Sequence, residues 1–173
     1  MDEHHHLKIS FSNLKDFFNK EKLKNYLRRI LTLKSKPSKI ALSIALGVFV
    51  GLLIPIGLQT LIVVPIGLLL GCNVILATTA TFISNPITMF PIYYAAFKVG
   101  EFVTSIEISW QAIYNIIDNP NIDNIITLGS EGIIVFFSGG FIIGAITAAI
   151  TYFLALRTIL AYRIRKNIPI DPQ

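Results

Sequence analysis

The chain has 173 residues, one domain's length, of which 53% are hydrophobic and 14% charged, with a formal net charge of +5. Soluble domains carry roughly 25% charged residues, and here the shortfall is concentrated: no Asp, Glu, Lys or Arg occurs from Ile40 to Phe97 or from Gly132 to Leu156. About 20 apolar residues cross a bilayer core of about 30 Å, so these runs argue against a water-soluble globule, and basic residues that flank such runs argue against a nucleic-acid-binding surface.

Residues 1–39 read as a basic, amphipathic cytoplasmic segment. His4, His5 and His6 lack any further ligand set at metal spacing, so they read as tail residues and no metal or other cofactor is expected. From 11 to 33 two apolar arcs follow: Phe11, Leu14, Phe17 and Phe18, then Leu23, Tyr26, Leu27, Ile30 and Leu31. They are out of phase on one ideal helix, which predicts a bend near Asn19–Lys22. Lys and Arg fill the polar positions, as in helices lying on an anionic membrane surface. The other readings dock this helix on the protein's own bundle or leave it solvated. The first apolar run begins at Ile40, too late for a cleaved signal peptide, so the membrane segments are expected to be their own insertion signal.

Residues 40–98 form an apolar stretch broken at three places. The pieces are Ile40–Ile54, Leu58–Leu70, Val74–Ile83 and Ile87–Phe97, separated by Pro55-Ile56-Gly57, Gly71-Cys72-Asn73 and Ser84-Asn85-Pro86. Proline removes a backbone donor and clashes with the preceding turn. Cys72 is the single cysteine, so no internal disulfide forms, and it reads as a packing residue. Residues 99–131 carry Glu101, Glu107, Asp118, Asp123 and Glu131 without Lys or Arg. Ile106, Trp110, Ile113, Tyr114 and Ile117 recur at helical spacing, which predicts amphipathic helices on the outer membrane surface. Residues 132–156 read as the final transmembrane helix. Its Gly140, Gly144 and Ala148 line one small face that lets another helix approach closely, in this chain or in a second one. Residues 157–173 form a basic tail.

Charge sets the orientation. Lys/Arg-rich flanks stay in the cytoplasm, so both termini are expected inside and the acidic segment outside. The chain must then cross an odd number of times between Ile40 and Lys98. At 1.5 Å per residue that run reaches about 87 Å, whereas three crossings need about 90 Å plus turns. Ordinary kinked spans and re-entrant or discontinuous helices both remain open. The fold class expected is an all-α integral membrane protein, a short bundle with broken or re-entrant helices plus a final single span.

No nucleophile–base pair, phosphate loop or metal cluster appears, and the apolar runs lack the ionisable groups of a proton relay; no enzymatic activity is expected. Uncharged polar residues gather at the breaks instead. Gln59 and Thr60 follow Pro55 and Gly57; Ser84, Asn85 and Thr88 surround Pro86. Asn at an N-cap followed by Pro is a helix-start signal. A helix start inside a membrane offers N–H donors and a partial positive charge to anionic substrate groups. In the alternative, these side chains satisfy one another across helix contacts.

Pro37, Gly47-Val48-Phe49-Val50-Gly51, Pro55-Ile56-Gly57-Leu58-Gln59-Thr60, Asn73, Ser84-Asn85-Pro86-Ile87-Thr88, Tyr94 and Gly100 resemble the bacterial membrane proteins grouped as domain of unknown function 2062, over roughly Lys34 to Leu160. The resemblance implies a bacterial inner-membrane setting and transfers no functional residue. Some members resemble fusions to glycosyltransferase domains, a pointer to lipid-linked sugar chemistry in a chain that lacks such a domain. The leading expectation is a transporter-like or lipid-handling protein. Its partners would be membrane lipids, with an anionic lipid or lipid-linked phosphate held at the breaks and Gln59 and Asn85 in direct contact. The rival is a structural or assembly protein that recruits an envelope partner or a second copy.

Overall fold

The computed structural model describes residue 25, residues 28–108 and residues 122–170. The histidine run, most of the N-terminal amphipathic pattern, and the Trp110–Ile117 pattern fall outside the described residues. Among the described residues the protein is all-helical. Helix α1 spans Pro37–Leu53, α2 Gln59–Leu69, α3 Val74–Ala80, α4 Met89–Thr104 and α5 Ile122–Arg165, and a 3₁₀ turn, Thr81–Ile83, extends α3.

Local chemistry explains the helix ends. Pro37 opens α1, where its fixed φ and missing N–H do no harm. Helix α2 closes on Gly71, whose φ is 60°. Cys72 N donates to Gly67 O at 2.8 Å and Gly71 N to Leu68 O at 3.1 Å, the paired bonds of a left-handed glycine cap. Asn73 then starts α3, its side chain accepting from Leu76 N at 3.0 Å. Asn167 repeats the cap after α5 with φ 52°, as Ile168 N reaches Arg163 O.

Helices α1 and α2 form a hairpin. Leu46, Val50, Ile54 and Val63 share one core cluster with Ala77. The hairpin brings the end of α2 back to the start of α1, where Lys39 Nζ donates to Leu70 O at 2.6 Å. A cation on the last carbonyls of a helix is also favoured by the helix dipole. Helix α3 then runs parallel to α1 and thirty residues out of step. Asn73 N donates to the buried Ser43 Oγ at 2.8 Å. A Cβ on Gly47 would overlap the Ala77 carbonyl, and one on Gly51 would lie 2.8 Å from Thr81 O. Glycine at both positions is what permits this approach.

Helix α5 runs antiparallel to α1 and α4. Ile159 packs with Ile40, while Gly144 faces Phe49 and Gly140 faces Leu52 and Leu53. On α4, Gly100 meets Val135 and Ala96 meets Gly139, and a Cβ on either glycine would overlap the opposing carbonyl. The glycines of α5 thus divide between two neighbours: Gly140 and Gly144 receive α1, and Gly139 receives α4. Ala148 is half-buried and Ala145 and Ala149 are exposed.

Helix α5 is longer at both ends than the apolar run 132–156 predicts. Charged Glu131 and Arg157 end the apolar run without ending the helix, because Glu and Arg are good helix formers. Among the described residues, one helix, Gly129–Arg165, is long and apolar enough to cross a membrane, and 28% of its most apolar stretch is buried.

Candidate functional site

The first break follows from a missing donor. Pro55 has no N–H to give the Gly51 carbonyl four residues earlier. Gln59 supplies the replacement: its Nε2 donates to Ile54 O at 2.9 Å and Gly51 O at 3.3 Å. The same nitrogen also reaches Ser84 Oγ at 2.7 Å, in the second break. Gln59 is 6% exposed and Ser84 2%, so one buried amide ties both breaks together. Gly57, with φ 103°, turns the chain between α1 and α2. Ile56 N donates to Tyr93 Oη at 3.1 Å, a further bond from the first break to α4.

The second break uses different side chains for the same task. Asn85 Oδ1 accepts from Ile87 N at 2.9 Å and Thr88 N at 3.2 Å, while Asn85 N donates to Thr88 Oγ1 at 3.0 Å. This is a reciprocal helix cap, with Pro86 just inside it. Thr88 Oγ1 in turn donates to Ile83 O at 2.8 Å. Asn85 is half-buried. Its oxygen is committed to two backbone donors, so its orientation is fixed, and among the described residues no acceptor takes its Nδ2 hydrogens.

The structure therefore brings Gln59 and Ser84 together in the interior and Asn85 and Thr88 together beside them. Thr60, Gly57 and Pro86 are exposed on the rim, and Pro55 is half-buried. Exposed Ile56, Leu58 and Ile87 surround the seam with apolar surface. Tyr93 and Ser43 are polar members of this scaffold that sequence patterning passes over. Their spacing to Ile56 and Asn73, 37 and 30 residues, carries no local signal.

At the opposite end sits a buried charge. Arg163 is 1% exposed. Its guanidinium donates to the carbonyls of Leu31 at 3.3 Å, Leu33 at 2.6 Å, Ser35 at 2.9 Å and Pro169 at 3.1 Å. It fastens the segment before α1 to the end of α5. On α4, Lys98 pairs with Glu101 at 2.7 Å.

Among the described residues, an all-helical chain with one membrane-length helix and polar, proline-marked breaks is the class this architecture defines. Residues 20–167 match the family described as uncharacterized protein conserved in bacteria, domain of unknown function 2062, and the chain belongs to that family. No curated protein and no solved structure matches it.

Proposed function

We propose that this protein is a multi-pass protein of the bacterial inner membrane that handles lipids by holding an anionic headgroup at the seam between its two helix breaks. In this topology α1 and α2 form a re-entrant hairpin from the cytoplasmic side. Helices α3 and α4 form one discontinuous crossing, and α5 returns. Both termini are then cytoplasmic, and the parity set by the charges is met without three full spans in the first apolar run.

Burial and depth support the membrane reading. A core helix of a soluble protein is covered by its neighbours, whereas 28% of the apolar stretch of α5 is buried. Leu61, Leu69, Ile75, Phe82, Phe102 and Phe153 are all exposed as well; apolar surface on this scale suits hydrocarbon. The last turn of α1, just before the first break, faces Gly140 of α5 through Leu52 and Leu53, about 12 Å along the helix from Gly132 at 1.5 Å per residue. Irregular backbone at such a depth is tolerated only in contact with protein or a polar cavity, and Gln59, Asn85 and Thr88 meet that need.

The observation that carries the headgroup assignment is Asn85: a half-buried amide whose oxygen is locked by two backbone N–H groups while its nitrogen has two donors to offer. A phosphate oxygen is a matching acceptor, and discontinuous membrane helices are recurrent sites for such groups. Asn85→Ser keeps an N-cap acceptor but removes the amide donors. In liposomes holding the full chain and fluorescent phosphatidylglycerol, transbilayer movement of the probe should exceed that of empty liposomes and fall to their level with Asn85→Ser. Equal movement by wild type and a folded Asn85→Ser overturns the assignment.

A specific observation favours the assembly reading as the second: among the described residues every buried side-chain nitrogen and oxygen has a partner. The breaks are then packing devices, and a stoichiometric protein captured by cross-linking, with no lipid movement, supports that reading.

A further inference from the structure

A second feature lies at the far end of the molecule from the breaks. A groove of about 350 Å³ runs between the segment before α1, α1 itself and the C-terminal half of α5, lined by Ile30, Leu31, Ile44, Leu154, Ala155 and Thr158 among others. Its walls are apolar. Thr158 turns its hydroxyl to the Leu154 carbonyl at 2.7 Å and so adds little polarity.

We infer that this groove holds one acyl chain of an anionic phospholipid of the cytoplasmic leaflet, with the headgroup among the arginines at its mouth. The inference rests on the membrane topology proposed above but uses a different site. The α5 residues lining the groove lie at the cytoplasmic end of the apolar run, at acyl-chain depth. Arg28 shares a helical face with Leu31, three residues on, and Arg165 shares one with Thr158, seven residues back. Both arginines are exposed, as is Arg29.

Charge selects the occupant. This end of the molecule gathers Arg28, Arg29, Lys34, Lys36, Lys39, Arg157, Arg163, Arg165 and Lys166, and no Asp or Glu occurs among the described residues up to 100 or from 132 to 170. Arg163 adds a buried positive charge, since its partners are neutral carbonyls. An apolar slot under a rim that is cationic among the described residues matches a lipid with a negative headgroup better than a zwitterionic one. The rim should also prefer such a lipid to an apolar helix of a partner.

Native mass spectrometry of the full chain, purified from mixed phosphatidylglycerol and phosphatidylcholine, tests this. Wild type should retain one phosphatidylglycerol in preference to phosphatidylcholine. Ala155→Phe fills the groove and should lose the bound lipid, whereas Ala149→Phe, on the exposed face of the same helix, should keep it. If Ala155→Phe fails to fold, Arg28→Gln with Arg165→Gln leaves the groove intact and should reduce the preference by about fivefold per arginine. Retention of both lipids alike, retention unchanged in a folded Ala155→Phe, or no retained lipid in wild type overturns the inference. Asn85→Ser should leave this lipid in place, so failure at the breaks and failure at the groove are distinguishable.

Discussion

Replacing Gln59 by leucine keeps the side-chain volume and removes the amide that holds the two breaks together. Three acceptors lose their donor: the carbonyls of Gly51 and Ile54 and the hydroxyl oxygen of Ser84. The Gly51 carbonyl cannot recover an intrahelical bond, because residue 55 is proline. The Ile54 carbonyl cannot recover one either, because Leu58 N is committed to Pro55 O at 3.2 Å. An unsatisfied buried group costs about 1–3 kcal/mol, and interhelical hydrogen bonds in membranes contribute about 0.6 and at most about 1.7 kcal/mol each. Gln59→Leu should therefore destabilise the protein by about 2–4 kcal/mol. Ser84→Ala alone should cost less, since both amide hydrogens still have carbonyls to meet. The double mutant should show a coupling of about 0.6–1.7 kcal/mol. Steric-trapping or detergent-titration unfolding measures all three. A Gln59→Leu protein within about 0.5 kcal/mol of wild type, or strict additivity with Ser84→Ala, would falsify the claim that this amide joins the breaks.

Further outcomes follow from the same contacts. Gly139→Ala drives a methyl into the Ala96 carbonyl and should cost at least about 1–3 kcal/mol, whereas Gly129→Ala, which meets open space on the same helix, should be neutral or stabilising by up to about 1 kcal/mol; unfolding titrations of the pair check the contrast. Gly57→Ala forces φ 103° on a residue with a Cβ and should cost about 1–3 kcal/mol despite ample space, read by the same titration. Arg163→Gln removes the fork that gathers the carbonyls of Leu31, Leu33, Ser35 and Pro169. Amide exchange over residues 28–35 should then rise, and Arg163→Lys should not restore protection, because an ammonium lacks the planar fork.

The breaks are legible in the sequence because proline, glycine and asparagine act locally. Pro55 deprives the Gly51 carbonyl four residues back, Pro86 sits at a helix start where no N–H is needed, and Gly71 and the caps at Asn73 and Asn85 require only neighbouring residues. What joins the breaks is not legible. Gln59 and Ser84 are 25 residues apart, and their meeting depends on α1 and α3 lying parallel, which depends in turn on Gly47 and Gly51 admitting the α3 backbone. Apolar periodicity is equally silent about α5, since hydrocarbon and protein neighbours select the same side chains; Gly139 and Gly140 are adjacent yet serve different helices. Arg163 reads as one more basic tail residue, and its burial follows from four carbonyls that converge on it from distant parts of the chain. The seam's members were thus named from sequence as a group, while the division of labour among them came from tertiary geometry: Gln59 spent on carbonyls, Asn85 half spent, and Thr60 on the rim.

The re-entrant hairpin is the claim from which the depth of the seam follows, and single-cysteine accessibility tests it most directly. With Cys72 replaced by serine, Glu107→Cys should react with a membrane-impermeant maleimide added outside intact cells. Lys166→Cys should react only once the cytoplasmic face is exposed, and Leu58→Cys, at the turn between α1 and α2, should resist the reagent from both faces. Labelling of Leu58→Cys from outside at the rate of Glu107→Cys would make α1 and α2 two complete crossings and contradict the account.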